Sequence, residues 1–71
     1  MTSDQIIKRI GSAAIEGHNP NDAAFLAERE TRSLIGDLLL SNDYVIAHHL
    51  LKLIPEIKQA SFDAWKKARL Q

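Results

Sequence analysis

The chain has 71 residues, nine basic and nine acidic side chains, and no cysteine. This length allows one domain, near the lower limit at which a core alone stabilises a fold, and the missing cysteines exclude disulfides and thiolate zinc sites. With 45% hydrophobic and 25% charged residues, the composition is that of a folded domain and excludes a disordered one. We therefore expect a single domain over residues 1–71, stabilised by a tightly packed core or by oligomerisation.

The apolar segments of the sequence indicate neither a secretion signal nor a membrane span. Ile6 and Ile7 are followed at once by two basic residues, so the continuous apolar stretch of a signal peptide does not form there. No run approaches the roughly 20 apolar residues that a membrane-spanning helix needs. We therefore expect a cytoplasmic protein.

The first predicted helix covers about residues 4–16. Thr2 is a suitable N-cap, because Gln5 follows at the spacing of a capping box. Gly17 is suited to the left-handed position that often ends a helix. The apolar face of this helix is formed by Ile6, Ile7, Ile10, Ala13 and Ala14.

The second predicted helix covers about residues 20–40. Asn19 is a suitable N-cap, Pro20 then occupies the first helical position, and Asp22 places negative charge in the first turn. Gly36, inside the helix, costs about 1 kcal/mol relative to alanine and indicates either a close packing contact or a weak point. The predicted core face consists of Ala24, Ala27, Thr31, Leu34, Ile35, Leu38 and Leu39.

The third predicted helix is the longest and covers about residues 43–70, after a second cluster of capping residues at 41–43. Its apolar stripe keeps one helical phase straight through Pro55, although proline inside a helix costs about 3 kcal/mol. The unchanged phase favours one kinked helix, whereas the alternative is a break that opens a fourth helix with Ile54 as a poor N-cap. The stripe consists of Leu50, Leu53, Ile54, Ile57, Ser61, Ala64, Trp65 and Ala68.

Together these segments predict an all-α fold, a small antiparallel three-helix array. No segment alternates apolar and polar residues as a strand does, and the predicted loops are short. At 1.5 Å per residue the helices are roughly 20, 30 and 40 Å long. The last two turns of the third helix, which include Ala64, Trp65, Ala68 and Leu70, should therefore lack intramolecular cover.

Apolar side chains outside the predicted core faces indicate association with another chain. Together they exceed what a monomer of this size usually exposes, and homodimerisation is the commonest way to cover them. We expect a homodimer that also docks on a larger protein partner by helix packing. The predicted interface residues are Phe62, Trp65, Leu70, Phe25 and Leu26, and the cations expected to steer an acidic partner are Lys58, Lys66, Lys67 and Arg69.

Residue patterns that carry chemistry are missing from the sequence. His48 and His49 are adjacent, so they point about 100° apart on a helix and do not share one metal ion. We find no glycine-rich phosphate loop and no context for a nucleophilic serine. We therefore expect a protein that is not an enzyme and that has no cofactor and no metal site.

Two alternatives to protein association remain open. The first is a small nucleic-acid-binding regulator, in which the basic C-terminal helix meets phosphates and Phe62 and Trp65 stack on bases. The second is binding of the same basic and aromatic helix to a membrane surface.

Overall fold

The computed structural model describes residues 1–69 and shows three α-helices: α1 (Ser3–Ala14), α2 (Pro20–Leu40) and α3 (Tyr44–Arg69). Residues 1–69 contain no strand, and both α1 and α3 pack against α2. The prediction of an all-α three-helix array is therefore confirmed. Within residues 1–69, no helix combines the length and the apolar character needed to cross a bilayer.

The starts of α1 and α2 follow the predicted capping residues. The Thr2 hydroxyl accepts a hydrogen bond from the Gln5 backbone N–H at 3.2 Å, and the Thr2 N–H donates to the Gln5 side chain at 2.8 Å. At α2 the Asn19 side-chain oxygen accepts from the Asp22 N–H at 2.8 Å, with proline at the start of the helix. These contacts satisfy backbone donors that have no partner within the first helical turn.

The turn between α2 and α3 is a Schellman motif. Asn42 adopts a left-handed conformation with φ of 62°, which asparagine tolerates better than most residues. The Asp43 N–H donates to the Leu38 carbonyl at 2.8 Å, and the Asn42 N–H donates to the Leu39 carbonyl at 3.1 Å. These bonds occupy the last carbonyls of α2 and reverse the chain within three residues.

Pro55 lies inside α3, which runs unbroken from Tyr44 to Arg69. The prediction of a continuous helix is confirmed, and the alternative of a break at Pro55 is wrong. Leu50 and Ile54 are both buried in the turn before the proline. Their burial helps to offset the backbone hydrogen bond that proline cannot donate.

The core is centred on one face of α2, where Leu34 and Leu38 are the largest fully buried side chains. Ala23, Ala27 and Thr31 are completely buried, and their short side chains let neighbouring helices approach closely. The Thr31 hydroxyl donates to the Ala27 carbonyl at 2.7 Å, which satisfies the one polar side chain in this core. The buried partners on the other helices are Ile6, Ile10, Ala14, Ala47, Leu50 and Ile54.

Three residues assigned to the core by the sequence are largely exposed, and this part of the prediction is wrong. Ile7 is 68% exposed and Leu53 is 39% exposed, because α1 packs on α2 and makes few contacts with α3. Leu39, in the last turn of α2, is also exposed. Conversely, the fully buried Ala23 was not in the predicted core face.

Gly17 does not adopt the left-handed conformation expected from the sequence, because no glycine of residues 1–69 has a positive φ. Its importance is steric instead. A Cβ atom at Gly17 would lie 2.6 Å from the backbone nitrogen of Ala23. The chain leaving α1 therefore passes directly against the first turn of α2.

Substituting Gly17 and Gly36 with alanine should have opposite effects on stability. Gly17→Ala should lower the free energy of unfolding by about 1–3 kcal/mol through overpacking against backbone. Gly36→Ala should raise it by up to about 1 kcal/mol, because an added Cβ atom meets nothing within 4 Å. Urea unfolding followed by circular dichroism measures both changes, and equal effects would contradict the role given to Gly17.

Candidate interaction groove

An apolar groove lies between α1 and α3, with a cavity volume of about 600 Å³. Apart from the Ser61 hydroxyl, the Trp65 indole nitrogen and the Arg69 guanidinium, its lining side chains are apolar. We call it the α1–α3 groove, and its lining residues are Ile6, Ile7, Ile10, Gly11, Ala14, Ile15, Leu50, Leu53, Ile57, Ala60, Ser61, Ala64, Trp65, Ala68 and Arg69.

The groove is open because the apolar stripe of α3 is wider than the surface that α2 covers. Ile54 is buried in the helix packing, whereas Ala60 and Ala64 lie about 80–120° further round α3 and are exposed. α1 would have to cover this second side, but it packs on α2. One long side of α3 is therefore left without a neighbouring helix.

Small residues line both walls of the α1–α3 groove. Its α3 wall contains the small exposed residues Ala60, Ala64 and Ala68, and its α1 wall contains the exposed Gly11. Small residues permit helix axes to approach to the 8–10 Å of close packing. Since few polar groups line the groove, any occupant would be held mainly by apolar contact.

The end of the groove is closed by Trp65, and for this residue the prediction that the last turns lack intramolecular cover is wrong. The Trp65 indole nitrogen donates to the Gly17 carbonyl at 2.8 Å. The Arg69 guanidinium lies 5.0 Å from the indole ring and donates to the Ile15 carbonyl at 3.4 Å. The loop after α1 thus reaches the last turns of α3, although Ala64 and Ala68 stay exposed.

The other predicted interface residues lie away from the groove. Phe62 is half-buried, with the Lys66 ammonium 5.6 Å from the centre of its ring. Phe25 is exposed and Leu26 is half-buried on α2, and neither lines the groove. Leu70 lies outside the described residues. Of the four predicted interface residues within residues 1–69, Trp65 is the one that lines the groove.

Three of the four cations predicted to steer a partner have intramolecular contacts. Lys58 lies 3.3 Å from a Glu28 carboxylate oxygen, and the Arg32 guanidinium lies 3.0 Å from the other one. Hydrogen bonds from Arg32, which has the larger effect, and from Lys58 hold the pKa of Glu28 below its ordinary value. The Lys58 contact joins α3 to α2. Lys66 and Arg69 lie over the rings of Phe62 and Trp65. Lys67 is exposed.

Sequence reasoning missed the α1 side of this site and the small residues of α3. Helical spacing places Ile7 in the core and gives Gly11 no role, because it does not show which neighbour a face meets. The available signal was the run of alanines in the second half of the α3 stripe. Comparisons with protein-family models, curated proteins and solved structures found no match to this chain, so functional inference rests on the geometry of the groove.

Trp65→Phe should lower the free energy of unfolding by about 1–3 kcal/mol, because the carbonyl of the buried Gly17 loses its donor and the smaller ring loses contact area. Tyr44→Phe is a suitable control, because it removes only an exposed hydrogen bond to Asn42. It should lower the free energy of unfolding by no more than about 0.5 kcal/mol, the lower end of the range for a hydrogen bond. Thermal unfolding followed by circular dichroism at one protein concentration compares them. An unchanged stability of Trp65→Phe would contradict the closure of the groove by Trp65.

Proposed function

We propose that this protein is a non-enzymatic helical interaction module that acts as a homodimer through the α1–α3 groove and the face of α3 that lines it. The observation that carries the proposal is the apolar surface along α3 that no other helix covers, which includes the exposed Leu53 and continues onto the exposed alanines Ala60 and Ala64. Contiguous apolar surface of this kind is typical of protein interaction sites.

The exposed apolar side chains of the groove supply the surface that a dimer would bury. Ile7 is 68% exposed and Ile15 is 61% exposed on the α1 wall. Burial of such side chains in a dimer would supply stability that a short chain without disulfides otherwise lacks.

A second exposed surface is available to a larger partner. Leu40 is 86% exposed and Val45 is 73% exposed, with Tyr44 beside them, also exposed. They flank the α2–α3 turn, at the opposite end of α3 from Trp65. We propose that dimerisation occupies the groove while this end stays available for an adaptor or inhibitor contact.

Gly11 and Gly36 provide a matched pair for testing the groove. Both are exposed glycines inside helices, and at each an added Cβ atom meets nothing within 4 Å. Gly11 lines the groove, whereas Gly36 does not. Gly11→Glu should weaken dimerisation by about tenfold or more, because association would bury an unpaired carboxylate, and Gly36→Glu should leave it unchanged.

Sedimentation equilibrium of the unmodified chain and both variants measures the dissociation constants, and circular dichroism checks that helicity is retained. A monomer for the unmodified chain at several hundred micromolar would overturn the homodimer, and equal weakening by both variants would overturn the groove as its site. Binding of the unmodified chain to duplex DNA with a steep salt dependence would instead favour the nucleic-acid alternative.

A further inference from the structure

We infer that α1 is a hinged cover on the α2–α3 hairpin, and that it opens as one unit while the hairpin and the hinge stay folded. The inference concerns the motion of a single chain and does not rest on the proposed homodimer. It follows from the unequal attachment of the three helices.

The α2–α3 hairpin is held together by contacts that do not involve α1. Its two helices share the most extensive packing of the three helix pairs. Their turn is closed by the hydrogen bond from the Asp43 N–H to the Leu38 carbonyl. Further along, the Lys58 ammonium lies 3.3 Å from a Glu28 carboxylate oxygen. Much of the core therefore belongs to the hairpin itself.

The apolar attachment of α1 is less complete than that of the hairpin. Each of its three buried side chains keeps 8–9% exposure, whereas Leu34 and Leu38 of α2 keep 2% or less. α1 packs on α2 and makes few contacts with α3. Segments with few fully buried contacts open locally at a lower free energy than the core does. The three buried side chains of α1 are Ile6, Ile10 and Ala14.

The polar attachment of α1 and its intrinsic helix stability are also weak. The Arg9 guanidinium lies 2.7 Å from a Glu30 carboxylate oxygen and 3.6 Å from one of Asp37. These side chains are partly exposed, and ion pairs of this kind contribute little to stability. α1 has 12 residues and includes Gly11, and so short a helix with an interior glycine is marginal by itself. An open α1 therefore unfolds, which exposes its amides.

The chain after α1 is held by the hairpin and forms the hinge. The Trp65 indole nitrogen donates to the Gly17 carbonyl at 2.8 Å, and the His18 N–H donates to the Asp22 carboxylate at 3.0 Å. Both contacts lie beyond Ala14, the last residue of α1. The opening of α1 therefore does not require either contact to break.

Opening of α1 removes one wall of the α1–α3 groove. Ile7 and Ile10 line that wall and leave it together when α1 opens. The face of α2 on which α1 packs is then uncovered as well. The position of α1 thus decides whether the groove exists as a binding surface.

Gly36→Ala separates the opening of α1 from unfolding of the whole chain. The added Cβ atom meets nothing within 4 Å, and alanine stabilises helical α2 equally whether α1 is closed or open. Protection of α2 and α3 amides against hydrogen exchange should therefore rise about two- to fivefold, while protection of α1 amides stays unchanged. Gly11→Ala is the matched control. It stabilises α1 against both opening and complete unfolding, so the amides of all three helices should gain protection.

Hydrogen exchange at low micromolar concentration, read by mass spectrometry with fragmentation to single residues, measures these changes. In the unmodified chain, the amides of residues 7–14 should share one protection factor, about tenfold or more below that of central α2 amides. This factor should fall in dilute urea, because opening exposes surface.

Equal protection of α1 and α2 amides in the unmodified chain would overturn the inference. A gain of α1 protection in Gly36→Ala would also overturn it, because α1 would then open only when the whole chain unfolds. A gradient of protection along residues 7–14 that urea leaves unchanged would show fraying of a helix end, and it would contradict opening as one unit.

Discussion

The packing of both outer helices on one buried face of α2 is the constraint on which the rest of the structure depends. Ala23, Ala27 and Thr31 are fully buried there, and they allow α1 and α3 to approach one helix from two sides. A short chain without disulfides has few other ways to build a dense core. Because α2 takes the packing surface of both neighbours, α1 and α3 touch little.

This arrangement accounts for the closed end of the α1–α3 groove and for its open side. Gly17 lets the chain after α1 pass close to the start of α2, and its carbonyl then meets the Trp65 indole. Beyond this contact the two helices are joined by few others, and Leu53 and Ile7 remain exposed. The same geometry that completes the core of one chain thus leaves an apolar surface exposed between α1 and α3.

Local features of the fold could be predicted from sequence because their causes are local. The capping residues Thr2 and Asn19 and the continuous apolar phase across Pro55 were sufficient to predict where helices begin and that α3 continues. The open groove could not be predicted, because periodicity shows that Leu53 belongs to an apolar stripe but not whether a helix covers it. The Trp65 contact was missed for a similar reason, since helix lengths did not reveal that the loop after α1 reaches the end of α3.

The central claim is that the α3 face of the groove is covered by a second copy. Solvent exposure of methyl groups, measured by NMR with a soluble paramagnetic probe at low and high protein concentration, tests it most directly. The account predicts that the methyl groups of Leu53, Ile57, Ala60 and Ala64 become protected at high concentration, while those of Leu40 and Val45 stay exposed. Equal exposure of the α3 methyl groups at both concentrations, in a chain that sediments as a monomer throughout, would contradict it.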